Sequence, residues 1–352
     1  MGAHIAQTQR TRSTAIIGTV SGLLLLISIP TAIALGGSLV SLPTTVDHLH
    51  TALTAGTVSA EDLTSYQIVW QVRTPRVLLA AIVGAGLSTV GVAIQAMVRN
   101  ALADPFVLGV ASGASVGAVT VSVAGGLALG VYATSVGAFV GALVASALVY
   151  LAATSAAGVT SLRLVLTGVA MAFGFQALMS VIVYFAPHGE ATGTVLFWLM
   201  GGFGGATWDE VPLVAATVVF GVVVCGLNSR GLDVISLGDD TSAALGVNGR
   251  RLRGLLFAVV AVTTGAMVAV SGAIGFVGLV MPHVVRILVG ASHARVLTVA
   301  PLAGALFMVW VDVAARTVVA PRELPLGAIT ALVGVPVFLL LLRRRGYLFG
   351  SR

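Results

Sequence analysis

The sequence contains no lysine and only one cysteine, and these absences exclude several kinds of chemistry. All eighteen residues counted as lysine plus arginine are arginine, so the chain has neither a lysine-containing phosphate-binding loop nor a Schiff-base lysine. Cys225 alone cannot form an intrachain disulfide or a thiolate metal cluster. Its position in an apolar run favours a buried structural thiol.

Charged residues are scarce as well. Only 9% of the 352 residues are charged and 58% are hydrophobic, whereas soluble domains carry about 25% charged residues. The composition therefore predicts a polytopic membrane protein. The net charge of +6 could suggest nucleic acid as a partner, but the arginines are scattered over loop ends, which membrane topology alone produces. No nucleic-acid partner is expected.

Long apolar runs predict an all-α fold with ten transmembrane helices. The first run is longer than the core of a signal peptide, so it is expected to be kept. The second is longer than a bilayer is thick and is expected to project outward. Residues 38–65 are predicted to be a polar loop and 194–205 a short surface helix. The predicted spans are residues 15–36, 66–98, 106–124, 131–153, 164–186, 211–227, 254–271, 274–289, 296–316 and 327–342.

The arginines also predict the orientation, because short loops rich in arginine stay in the cytoplasm. Between these spans, one side holds only Arg73, Arg76, Arg316 and Arg322, which leaves fourteen of the eighteen arginines on the other side. Both termini are therefore expected to be cytoplasmic. The organisation is a tail of residues 1–14, one membrane domain of residues 15–342 and a tail of residues 343–352, with a cytoplasmic loop at 228–253.

That loop, residues 228–253, holds seven charged residues in an otherwise apolar chain and must stand in water. The string from Ser236 to Asp240 predicts a turn into a helix, with Asp239 or Asp240 as the cap and Gly246 as the stop. A very short helix is thus expected at the membrane surface. From its charges alone, the loop is equally well a solvated connector or a docking element.

Several short sequence motifs are informative because they occur together in one order along the chain. They are RTPR at 73–76, Gln95, RNALADP at 99–105, Leu108-Gly109, WLMGGFGG at 198–205, SLGD at 236–239, LGV at 245–247, GFVGL at 275–279, Pro282-His283, Arg286 and ELPLG at 323–327. From about residue 66 to the C-terminus, the chain closely resembles the FecCD- and BtuC-type permeases of ATP-driven importers for ferric siderophores, haem and cobalamin. One departure is Ala101, where the family usually has proline.

The resemblance implies a ten-span subunit that forms a homodimer or pseudodimer, two cytoplasmic ATPase subunits, and an external substrate-binding protein. ATP and magnesium would be bound by the ATPase, so no cofactor is expected in this chain, and the chain itself would not be an enzyme. The short helix of the charged loop would dock into the ATPase and drive alternating access. The implied coupling residues are Leu237, Gly238, Asp239, Asp240, Ala243, Ala244, Leu245 and Gly246.

The resemblance also implies that Arg73, Arg76 and Arg316 meet glutamates on the binding protein. Arg73 and Arg76 could instead be anchors at the membrane surface, and Arg316 could pair with Asp312 four residues earlier on the same helix. A small polar pair, Thr160 and Ser161, looks like the cytoplasmic gate of the family, although the two could simply cap a helix.

Two other functions are alternatives to the importer. An ion-coupled secondary transporter generally needs ionisable groups near the bilayer midplane, whereas the acids here cluster at span ends. A membrane-embedded enzyme needs His, acid or Cys groups gathered at one depth, and the six histidines lack metal-ligand spacing. Ferric siderophore is the expected cargo because it is the commonest in the family; haem and cobalamin are the alternatives.

Overall fold

The computed structural model describes residues 2–37, 40–124, 130, 132–155, 158–186 and 198–343. The fold of these residues is almost entirely helical, apart from two-residue strands, Thr154–Ser155 and Gly158–Val159, that pair antiparallel. The helices are α1 Gly2–Ala34, α2 Leu42–Leu53, α3 Leu63–Gln67, α4 Thr74–Val98, α5 Val110–Val123, α6 Ala133–Ala153, α7 Ser161–Tyr184, α8 Glu210–Leu227, α9 Ser229–Ser236, α10 Asp239–Ala244, α11 Gly249–Ser271, α12 Val277–Val289, α13 His293–Thr317 and α14 Leu326–Arg343.

Seven helical segments of the described chain are long and apolar enough to cross a membrane. The longest is continuous over 36 residues, Leu63–Val98, because α3 runs through a π-helical segment, Ile68–Arg73, into α4. This confirms the predicted long second span. Three further apolar helices are shorter, namely Val110–Val123, Val277–Val289 and Leu326–Leu340.

The centre of the molecule is α4, which is surrounded by α8, α11, α12 and α13. Small residues let these helices approach closely. A side chain at Gly84 would overlap the carbonyl oxygen of Gly304 on α13, and one at Gly91 would overlap that of Gly278 on α12. A second group, α5, α6 and α7, joins this core where α6 packs on α11.

Two elements differ from the sequence-based expectation. The predicted polar loop at 38–65 contains α2, which begins at Ser41, whose hydroxyl accepts a hydrogen bond from the Thr44 N–H at 3.2 Å, with Pro43 in the first turn. The Ser-x-Pro string carried that signal, but the polarity of the region masked it. Of the predicted surface helix at 194–205, residues 198–200 are helical and 194–197 lie outside the described residues.

Candidate functional site

The loop that the sequence singles out, residues 228–253, is hereafter the coupling segment. It contains two helices rather than one, because α9 precedes the short α10. Leu232 and Ile235 on α9 are fully buried, and this pair, one turn apart, fixes α9 against α4 and α13. Gly238 then turns the chain with φ +113°, and Gly246 ends the second helix with φ +76°. Both values favour glycine.

The short helix α10 presents most of the implied coupling residues to solvent. Leu237 and Leu245, which flank the helix, are 65% and 59% exposed. On the opposite side, the buried Ser242 hydroxyl lies 2.6 Å from the Gly238 carbonyl and 3.0 Å from that of Val234. The helix is thus anchored on one side and open on the other. Of the implied set, only Gly238 is buried.

The predicted cap of α10 was wrong. The N-cap residue is Gly238, and no side chain caps the free backbone donors. Asp239 and Asp240 lie instead in the first turn, where negative charge interacts favourably with the helix dipole. The physical reason is the sharp backbone turn at Gly238, which moves the helix start one residue ahead of both aspartates.

One ion pair and one set of hydrogen bonds fasten the helices α9 and α10 to the membrane helices α11 and α13. The buried Arg253 on α11 donates to Asp239 in the first turn of α10. Asp233 on α9 accepts from the backbone N–H of His293 at 3.0 Å and lies 2.6 Å from its Nδ1, at the start of α13. Burial pushes the pKa of Asp233 up, but the hydrogen bonds with His293 bring it below its ordinary value. Sequence reasoning missed both partners, which lie 14 and 60 residues away.

The three arginines that the sequence predicts on the outer side meet at one place, but they point into the protein. Arg73 donates to the carbonyls of Ile33 and Ala34 at 3.0 and 2.9 Å, and so holds the end of α1. Arg316 donates to the carbonyls of Ala32 and Leu35 at 2.8 and 2.7 Å. These four carbonyls are freed where α1 ends, so the guanidinium groups satisfy them.

Arg76 completes this cluster with carboxylates. It donates to Asp312 at 2.8 Å and to both oxygens of Glu323 at 2.7 and 2.9 Å. Arg316 Nε lies 3.0 Å from the other oxygen of Asp312. This confirms the alternative in which Arg316 pairs with Asp312 on the same helix. Arg73, Arg76 and Arg316 are 6–7% exposed. Asp312 and Glu323 compensate the charges of Arg76 and Arg316, while Arg73 donates to main-chain carbonyls. Docking of a binding protein here stays a prediction.

Thr160 and Ser161 lie at the start of a membrane helix, Thr160 directly before α7 and Ser161 as its first residue. The Thr160 hydroxyl accepts from the Arg163 N–H at 3.4 Å, as the N-cap of α7. The Ser161 hydroxyl donates to the Met97 carbonyl at 3.0 Å, and so ties α7 to the end of α4. This agrees with the capping interpretation, while the gate interpretation requires a second subunit and stays a prediction.

Within the described ranges, no group of three or more His, Cys, Asp or Glu side chains is placed to hold a metal ion. The most deeply buried carboxylate, Asp312, is occupied by Arg76 and Arg316. The described site thus consists of a short exposed helix that is held against the membrane helices on its other side.

Comparisons with known proteins agree with this description. The model of the FecCD transport family matches residues 24–344. The chain is 37% identical over 306 residues to the Fe(3+)-citrate import system permease protein of Bacillus subtilis, covering 84% of this chain and 90% of that protein. It is 41% identical over 285 residues to the hemin transport system permease protein of Yersinia pestis, covering 79% and 84%.

The fold also resembles a solved structure, described as an inward-facing conformation of a metal-chelate type ABC transporter. The TM-score is 0.81 at 32% sequence identity, over 93% of this chain and 99% of that one. The similarity in sequence and the similarity in fold both extend over most of the chain.

Proposed function

The chain belongs to the FecCD transport family of ABC importer permeases, and from this we propose that it takes up ferric siderophores across the inner membrane of a prokaryote. ATP would be hydrolysed by a separate ATPase pair, and cargo would be delivered by an extracytoplasmic binding protein. The permease would work as a dimer of ten-span subunits with cytoplasmic termini. The exposed, internally braced α10 is the observation that carries the proposal.

The proposed mechanism is alternating access. Closure of the ATPase pair on ATP would push on α10, and the exposed leucines on either side of it, Leu237 and Leu245, suit an apolar cleft. Because Asp239 is paired with Arg253 and Asp233 with His293, the push would reach α11 and α13 together. The residues proposed to contact the ATPase are those of the implied coupling set.

Leu245→Asp tests the coupling assignment. An aspartate in this contact would be an unpaired charge and should cost about 3–5 kcal/mol, more than a hundredfold in affinity. We expect the ATPase to be lost on co-purification and uptake to fail, while the protein still inserts. Leu53→Asp, the same change at a leucine 78% exposed on α2, is the control and should retain the ATPase. Wild-type association in Leu245→Asp would remove the assignment.

The proposal also names the compound that is transported. Relatives of similar identity are named for iron citrate and for hemin, so haem is a second candidate, and cobalamin remains the alternative from the resemblance. Growth of a deletion strain on a panel of ferric siderophores, haem and cobalamin decides between them. Loss of growth on ferric siderophores alone is the expected result, and loss of growth only on haem or only on cobalamin would contradict it.

External docking through Arg73, Arg76 and Arg316, and a gate at Thr160 and Ser161, are further proposals taken from the family. The docking test replaces Arg73 and Arg76 with glutamate and measures binding-protein association. Because both arginines are buried, this result counts only if assembly with the ATPase is shown to be intact. Unchanged affinity and unchanged salt dependence in an intact variant would overturn docking.

A further inference from the structure

A narrow groove lies between α6 and α8. Both helices pack against α11, but within the described residues they share few direct contacts with each other. The space left is a cavity of about 340 Å³, within the range of small-molecule sites at roughly 300–1,000 Å³. Its walls and floor are almost wholly apolar and include Val136, Phe139, Leu213, Val214, Ala266 and Val270.

The mouth of the groove, in contrast, carries two adjacent carboxylates. Asp209 is exposed and Glu210 half-buried. Tyr132 donates to Asp209 Oδ2 at 2.7 Å, and the Thr207 N–H donates to Glu210 Oε2 at 3.2 Å. Among the described residues, no basic side chain lies within 4.0 Å of either acid. Each carboxylate is thus oriented by a neutral donor and left without a cation.

Aromatic side chains place this mouth at the depth of the lipid headgroups. Trp208 packs against Trp70 with ring centroids 4.5 Å apart and ring planes tilted by 40°, and it donates to the Trp70 carbonyl at 2.8 Å. Trp198 and Tyr132 line a smaller cavity of about 210 Å³ that shares Glu210 with the groove. Tryptophan and tyrosine are enriched at membrane–water interfaces, so the apolar groove extends from that level toward the hydrocarbon core.

We propose that this groove binds a phospholipid with a primary-amine headgroup. One acyl chain fills the apolar groove, and the ammonium group donates to Asp209 and Glu210. A primary ammonium has three N–H donors for the two carboxylates, and such charge-assisted hydrogen bonds are the strong ones. A quaternary choline headgroup has no N–H to donate, and a net anionic lipid is repelled by the acid pair. The lipid comes from the surrounding membrane, so the proposal is independent of the cargo.

Native mass spectrometry of the full chain measures this preference. The purified permease is equilibrated with equal amounts of dioleoyl-phosphatidylethanolamine and dioleoyl-phosphatidylcholine, and the bound lipids are counted. The wild type should retain the ethanolamine lipid about five- to tenfold over the choline lipid. The double variant Asp209→Asn with Glu210→Gln should bring the ratio close to one. Ala269→Phe, which fills the groove, should lower retention of both lipids.

The chain offers a matched control in a second adjacent acid pair, Glu61 and Asp62, which is exposed and lies outside the groove. Glu61→Gln with Asp62→Asn should leave the wild-type lipid ratio unchanged. Equal retention of the two lipids by the wild type overturns the proposal, and so does a preference that survives in the Asp209 and Glu210 variant. Loss of cargo uptake in that variant with an unchanged lipid ratio would assign the two carboxylates to transport instead.

Discussion

At the scale of single residues, Asp312 stands out because its carboxylate is fully buried between two arginines. A buried charge is costly unless it is paired and hydrogen-bonded. Here one aspartate and the half-exposed Glu323 balance Arg76 and Arg316, and the remaining guanidinium donors satisfy the carbonyls at the end of α1. The cluster therefore closes one end of α1, α4 and α13 together.

Asp312→Asn tests how much this cluster stabilises the fold. The change leaves both arginines buried with their charge only partly compensated, and breaking a buried pair in this way costs about 3–5 kcal/mol. We expect a clearly lower unfolding temperature and a smaller monodisperse fraction in detergent. Asp62→Asn, at an exposed aspartate, is the control and should change little. An Asp312→Asn protein as stable as the wild type would show that the pairing is dispensable.

A second prediction for a single residue concerns Asp104 and the pH dependence of the free energy of unfolding. It is 7% exposed, and its Oδ1 accepts from the Phe106 N–H at 2.9 Å. Burial raises the pKa of Asp104 to about 6, against the opposing effect of hydrogen bonds from the backbone of Phe106 and Phe276. Because the folded pKa lies above the unfolded one, this group favours folding below the ordinary carboxyl pKa, and that contribution is lost as pH rises through about 6.

The free energy of unfolding should therefore be about 1 kcal/mol lower at pH 7.5 than at pH 5 through Asp104 alone. Asp104→Asn keeps the oxygen acceptor but cannot titrate, so it should lack this part of the pH dependence. Comparing the unfolding temperatures of both proteins at the two pH values isolates the contribution, because all other groups are shared. Identical pH profiles would mean that Asp104 is ionised in the folded state at no cost.

At the scale of elements, the coupling segment is a helix pair whose position is set by its neighbours. A helix of six residues such as α10 is marginal by itself. Its orientation depends on Ser242 and on the ion pair with Arg253. The segment can move as one body with α11 and α13 only while these contacts hold.

Arg253→Ala should therefore uncouple transport from hydrolysis. We expect the ATPase to remain bound and active, because the exposed face of α10 is unchanged, while uptake per ATP falls several-fold. The charge swap Arg253→Asp with Asp239→Arg should restore part of the uptake, which a merely structural defect would not allow. Arg250→Ala, at an exposed arginine one turn away on α11, is the control. Full uptake in Arg253→Ala would show that coupling does not need the ion pair between Arg253 and Asp239.

At the scale of the whole molecule, α7 is poorly covered by its own chain. Only 11% of its span is buried, and its exposed side chains include large apolar residues such as Leu162, Leu166 and Phe173. Lipid or a second subunit can cover such a face. The family resemblance favours a second subunit, with Thr160 near the axis.

Cysteine cross-linking decides whether lipid or a second subunit covers the exposed face of α7. In a background with Cys225→Ala, Thr160→Cys should form a disulfide-linked dimer in at least one nucleotide state, since the same residue of two copies meets at a two-fold axis. Leu53→Cys, on α2, should not cross-link. Failure of Thr160→Cys to cross-link in every nucleotide state would count against the gate and the homodimer together.

The local pattern of the sequence was enough for the class of protein and for most helices. Apolar runs are read over some twenty consecutive residues, so the segments of α4, α6, α8, α11 and α13 were placed within a few residues of their observed ends. Turn residues likewise located the start and the end of the short helix, at Gly238 and Gly246. The amphipathic helix α2 was missed because a mixed polar segment gives no such run.

By itself, the sequence determined that this is a polytopic membrane protein and where its short exposed helix lies, because hydropathy and turn chemistry act between neighbours along the chain. The permease function came from the ordered motifs that resemble the FecCD- and BtuC-type family. Only the tertiary structure decided what the charges do. Arg76 finds its partners 236 and 247 residues away, so its spacing from Arg73 could not reveal that both point inward. Whether a charge is buried and paired depends on the helices packed around it, and so does the groove between α6 and α8, which exists because both helices rest on α11 and leave a gap.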